Sequence, residues 1–182
     1  MGQRFRDDAF LGKGTVTISH IRSTSPSLCA VADSSTIHLD RRLTVGETEA
    51  TSVAELHALP SVKQAEAQVR VLEYREKAYT GLVYPTHKYY PTWVTAPEHA
   101  SVRGGVEALT RLNGKAPEVG RWVFSTNGVA TCGMFGIPTI GFGPADERFA
   151  HSPQDQIPVK HLEAAAAFYA AFPQAYGQAT AK

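Results

Sequence analysis

Apolar and polar residues alternate in "TVTISHI" (residues 15–21), which sets Val16 and Ile18 on one face and predicts a strand. The alternation returns in "TIHLDRRL". There Ile37 and Leu39 face one way, and His38, Asp40 and Arg42 the other. Between them, "SPSLCAVADSS" reads as a connection. After "GETEATS" the period lengthens. Val53, Leu56 and Leu59 share a helical face, Ser52 with Glu55 fits a capping box, and Pro60 is placed to stop the helix. "AQVRVLEY" is a third candidate strand. This part predicts an antiparallel sheet with a helix, an α+β pattern.

Residues 75–97, with "TGLVYPTHKYYPTWV", carry no clear period and are expected to cross between two domains, with the boundary near Glu98. Beyond it the pattern becomes α/β. "EHASVRGGVEALTRLNG" places Val102, Val106 and Leu109 on one helical face and ends at Asn113-Gly114. "RWVFS" and "IPTIGFG" read as short buried strands. "TNGVATCGMFG" between them fits a turn of helix closed by Gly136. Pro158 suits the first turn of a last helix, "VKHLEAAAAFYAAF". The expectation is two domains, 1–97 and 98–182, the second holding parallel strands with crossovers. These elements are too few to cover both faces of a doubly wound sheet.

Composition narrows the function classes. The net charge of the 182 residues is +1, with Lys and Arg scattered, so no field points to nucleic acid or to an acidic membrane surface. No apolar run approaches 18 residues, and no leader pattern opens the chain. Cys29 and Cys132, far apart, form no disulfide framework and suit a reducing cytoplasm. A cytoplasmic protein outside the membrane is expected.

Candidate chemistry gathers on the loop "GFGPADERFAHSPQDQIP" (residues 141–158). His151, on a turn-rich run after a predicted strand, is placed as a metal ligand or general base; a plain surface histidine is the alternative from spacing alone. No HxH or HExxH pair, no GxxxxGK and no full dinucleotide fingerprint is present. "STNGVA" (residues 125–130) opens a helix and could offer backbone N–H groups to an anion, or simply cap that helix. Arg42 could grip a carboxylate, or stand on a solvated strand face beside Asp40.

Together, "AVADSSTIHLDRRLTVGET" and "FSTNGVATCGMFGIPTIGFGPADERFAHSPQDQIPVKHLEAAAAFYAAFP" resemble the C-terminal half of a metallopeptidase family. That family includes acetylornithine deacetylase, succinyl-diaminopimelate desuccinylase and aminoacylase. The run "LDRRLTVGET" is most similar to a branch of hydrolases linked to selenium metabolism. The resemblance implies part of an antiparallel lid domain that dimerises, followed by the C-terminal part of an α/β catalytic domain. It implies amide hydrolysis with two zinc ions in the complete enzyme, on N-acyl amino acids or small peptides. By motif, His151 corresponds to a zinc ligand and Asp155 to a carboxylate orienting that loop. Thr126, Asn127 and Gly128 correspond to a substrate-side turn, and Arg42 to a lid arginine at the substrate carboxylate. "CAVAD" sets Cys29 where the family has asparagine. The other metal ligands and the catalytic glutamate have no counterpart, so this chain alone is expected to be inactive and to hold no zinc. A non-catalytic dimerisation fragment is the competing reading.

Overall fold

The computed structural model describes residues 5–181. The chain divides into two compact units, one up to Thr92 and one from Trp93 onward. The break lies a few residues before Glu98. The fold is mixed: among the described residues the small antiparallel ladders lie in the first unit, and helices occur in both.

In the first unit β1 (Asp7–Asp8) pairs with β2 (Gly12–Lys13), and β3 (Thr15–Ser23) with β4 (Ser35–Arg42). The β3–β4 register places Ile18 opposite Leu39 and Ile21 opposite Ile37, with a bulge between Ile18 and His20. Ile18 and Ile21 are an odd number of residues apart and would face opposite ways on a regular strand. The extra residue returns Ile21 to the face of Ile18, Ile37 and Leu39. Arg41, opposite Val16, lies on that same face.

Helix α1 (Glu49–His57) starts one turn earlier than its sequence signal suggests. Thr48, extended at φ −131°, is its cap, and the capping box joins Thr48 to Thr51: the Thr51 amide donates to Thr48 Oγ1 (3.2 Å) and the Thr48 amide to Thr51 Oγ1 (2.8 Å). Ser52 and Glu55 do not form the expected box, because both are already inside the helix. Glu55 instead reaches Arg41 at 3.4 Å. Pro60 opens α2 (Pro60–Gln64) rather than ending the previous helix, since its fixed φ and missing N–H suit a first turn.

The third expected strand shrinks to β5 (Glu73–Tyr74), paired with β6 (Thr86–His87). The apolar run before it finds no neighbouring strand, and a strand is stable only in a ladder. The supposed crossing segment is partly this hairpin, turned at Gly81, whose φ of +84° suits glycine.

The second unit is built on α3 (Ala100–Asn113) and α4 (Val159–Thr180), which pack along their lengths. Gly114 ends α3 in the left-handed region. The buried stripe of α3 is Ser101, Gly104, Gly105 and Ala108, beside the expected Val102. It meets Phe168, Phe172 and Ala175 of α4. A Cβ on Gly104 would stand 2.9 Å from Tyr176 Cα, so this glycine sets the helix separation. "RWVFS" and "IPTIGFG" enter no ladder, contrary to the expected parallel strands. Each has apolar side chains but no neighbouring backbone to pair with.

Candidate functional site

The loop bearing His151 is pinned at both ends. Asp146 caps a single 3-10 turn, Glu147–Phe149, accepting from the Arg148 amide at 3.0 Å. The Arg148 guanidinium folds onto the same carboxylate, with Nε 3.0 Å from both oxygens and Nη2 2.6 Å from Oδ2. These bonds from Arg148 hold the Asp146 pKa down to about 2. On the far side the Ser152 hydroxyl donates to Phe149 O at 2.7 Å and accepts from the Gln154 amide at 3.2 Å. Between the pins His151 takes φ +59°, a left-handed backbone that few side chains adopt.

The His151 imidazole is exposed and makes no hydrogen bond or ion pair with any described residue. Asp155 is also exposed; its amide donates to Ser152 O (3.1 Å) while its carboxylate is unpaired. Neither Asp146 nor Asp155 therefore holds the second ring nitrogen of His151, as a ligating imidazole would require. Asp146 is committed to Arg148.

The turn at residues 126–128 leads into a π-helical turn, Val129–Met134. The Thr126 hydroxyl accepts from the Gly128 amide at 3.2 Å, and Asn127 O accepts from the Ala130 amide at 3.0 Å. The Asn127 side chain is exposed and unpartnered, open to a ligand. Gly128 has a packing role that the sequence did not signal: a Cβ there would run into the Trp93 ring. Gly141 seats Trp122 in the same way. Both seats join residues distant in sequence, so no local pattern marks them.

Arg42, in the first unit, points to its own strand neighbour: Nε lies 3.3 Å from Asp40 Oδ1 on the exposed face of β4. The arginine with buried contacts is Arg41. It pairs with Glu47 at 2.5 Å, and its guanidinium lies 3.5 Å from the Phe5 ring centre. Sequence reading passed over Arg41 because strand alternation gives no warning of a charge on the apolar face.

A depression of about 380 Å³ near the start of α3 is a further feature that sequence reading missed. Ile137, Pro138, Phe172 and Tyr176 line it, with His99 and Ser101. His99 caps the helix through Nδ1, which accepts from the Ser101 amide at 3.2 Å. Capping by an imidazole is outside the usual Ser, Thr, Asp and Asn preference.

Among the described residues no group of three or more His, Cys, Asp and Glu side chains could hold a metal ion. One imidazole does not fit a zinc centre, which takes three or four protein ligands. No described helix is long and apolar enough to cross a membrane.

No known family model matches the chain. It is similar to two uncharacterized proteins named YgeY, from Escherichia coli strain K12 and from Escherichia coli O157:H7. Each is 51% identical over 173 residues, covering 95% of this chain and 43% of the relative. The chain thus spans less than half the length of the curated relatives it matches.

Proposed function

We propose that this chain is one part of a zinc-dependent amidohydrolase acting on N-acyl amino acids or small peptides, inactive until the rest of the enzyme joins it. The carrying observation is His151: exposed, unpartnered, and displayed in a left-handed backbone between two pinned turns. Strain of this kind persists where the surroundings impose it, and it collects at functional sites. The likeness of "IPTIGFGPADERFAHSP" to the zinc-ligand loop of the deacetylase family gives that display a chemistry. His151 would supply one ligand, Asp155 would steady the loop, and the free Asn127 amide beside Thr126 and Gly128 would meet substrate. Arg42 would serve a substrate carboxylate after leaving Asp40.

The test uses this chain alone and the same chain joined to the polypeptide that the K12 relative carries beyond the matched stretch. The chain alone should give no chelator-sensitive turnover of an N-acetyl amino acid. The joined form should bind zinc and turn it over. His151→Asn, which tolerates the left-handed backbone, should lower bound zinc and cut turnover at least a hundredfold while the circular dichroism stays unchanged. Full zinc occupancy and normal turnover in that variant would make His151 a surface histidine.

A second reading has its own observation. Ile18, Ile21 and Ile37 lie on one face of the β3–β4 hairpin and are 57%, 63% and 54% exposed. Such a face suits a non-catalytic dimerisation module. A homodimer through this hairpin with no hydrolysis in the joined form would favour it.

A further inference from the structure

The chain exposes far more surface than a finished protein of its size. Its accessible area is 13701 Å² for 19.7 kDa. A folded protein of that mass exposes about 8,600 Å², and two separate units of half the mass about 10,400 Å² together. Even against two separate units the excess is about 3,300 Å². A standard interface takes only about 800 Å² from each partner. The excess is on the scale of a permanent, obligate contact.

In the second unit part of this surface is concentrated and has a definite character. Trp122 and Phe124 stack at 5.5 Å and are both exposed. Beside them in sequence Val123 is 74% exposed, and Phe135 after the π-helical turn is 75% exposed. The backbone is as incomplete as the side-chain cover. The amides of residues 122–125 and 140–143 donate to no described group. Both runs have the composition of a buried strand and lack its hydrogen-bonded neighbour; Ile140 and Phe142 already pack against Phe168 and its neighbours, whereas Trp122, Val123 and Phe124 stand exposed without an apolar cover. An occupant that supplies both at once is another strand-bearing polypeptide.

We infer that residues 122–125 and 140–143 form a docking surface for a second polypeptide, which adds strands to them and covers Trp122, Val123 and Phe124. The occupant is the counterpart of the sequence that the Escherichia coli relatives carry outside the matched 43% of their length. That stretch exceeds this chain in length, enough to bury an excess of this size. The inference deepens the two-part reading above by naming where the parts meet, and it rests on that reading for the existence of a completing part. It requires neither zinc nor hydrolysis.

The test follows amide exchange in the full chain, alone and co-expressed with the unmatched polypeptide of the K12 relative. Light scattering should give a one-to-one complex. The amides of 122–125 and 140–143 should exchange about a hundredfold more slowly in it than in the chain alone. A second arm joins the two pieces by a linker, so that poor folding of the separate piece does not decide the result. Val123→Asp and Phe135→Asp alter side chains already exposed in the free chain. Each should weaken the complex at least tenfold while leaving the free chain's circular dichroism unchanged. Fast exchange at both runs in the joined form would overturn the inference, as would protection confined to other segments. A homodimer of this chain that protects the same amides would overturn it in favour of a second copy as occupant. Zinc and turnover are measured on the same sample: a protected complex without either keeps the docking surface and removes the hydrolase reading.

Discussion

The two units are held by different kinds of interior. In the unit up to Thr92 the most deeply buried side chains include Thr44 and Glu47, both polar. Glu47 accepts from the Thr44 amide at 3.0 Å and from Arg41 at 2.5 Å, while Thr44 Oγ1 donates to Gly12 O at 2.6 Å. In the unit from Trp93 the interior is an apolar seam in which small residues of α3 meet the aromatic side chains of α4, with Ala108, Phe168 and Ala175 at its centre. The polar interior fixes geometry by direction, so each member depends on the others. The seam fixes geometry by shape alone. Removing a charge should injure the first unit, and adding volume should injure the second.

Glu47→Ala should have the largest effect. It leaves the Arg41 guanidinium, whose Nε and Nη1 are buried without a hydrogen bond, with the Phe5 ring and a partly exposed Glu55 as its remaining neighbours. Breaking a buried ion pair from one side costs about 3–5 kcal/mol. Both tryptophans, Trp93 and Trp122, lie in the second unit. Urea unfolding of Glu47→Ala should therefore lower the midpoint seen by circular dichroism and leave the tryptophan fluorescence midpoint in place. The double variant Arg41→Met with Glu47→Leu should recover most of the loss, because two matched apolar groups replace two charges. No recovery would mean that the pair does more than neutralise itself.

Gly104→Val should rank next, and with the opposite signature. Its Cβ would meet the Tyr176 backbone at 2.9 and 3.0 Å, atoms that cannot swing aside. Overpacking of this kind costs about 3 kcal/mol. The fluorescence midpoint should fall with it. Gly105→Ala should be milder, since its nearest obstacle is the Ile140 Cδ1 methyl at 3.0 Å, the free end of a side chain. Equal losses from the two variants would show that the seam is not set by backbone approach at Gly104.

The same contrast explains how much could be read from the chain. Local signals worked where the structure is local. Alternation located the β3–β4 hairpin, and Asn113-Gly114 marked the end of α3. They failed where the cause lies elsewhere in space. The bulge near Ser19 is visible only once Leu39 and Ile37 are known as partners. "RWVFS" and "IPTIGFG" have strand composition but no neighbour, and composition carries no information about a missing neighbour. At the candidate site the exposed, turn-rich loop that carries His151 was legible from its glycines and prolines. The left-handed backbone of His151 and the commitment of Asp146 to Arg148 were not, since both arise from how the loop closes.

The smallest expected effect concerns that closure and sets an exposed ion pair against the buried one. Asp146 and Arg148 contact each other through several bonds, where Arg41 and Glu47 share one, yet the Arg148 side chain is 79% exposed. Water and salt screen such a pair, so it should add little to global stability. It should still be plain in titration. The Asp146 carboxyl, held near 2 against an ordinary 3.8, keeps its charge until the solution is strongly acid. The sign follows from linkage: a lowered folded-state pKa contributes stability above pH about 3.8, and that contribution disappears as pH falls towards 2. Carboxyl chemical shifts followed by NMR should show a midpoint near 2, moved towards 3.8 by Arg148→Ala and partly so by molar salt. Unfolding midpoints at neutral pH should barely change in that variant, unlike in Glu47→Ala. If Asp146 titrates at an ordinary carboxylate value with Arg148 in place, the loop around His151 is not pinned as described, and the carboxylate is free to turn to the imidazole instead.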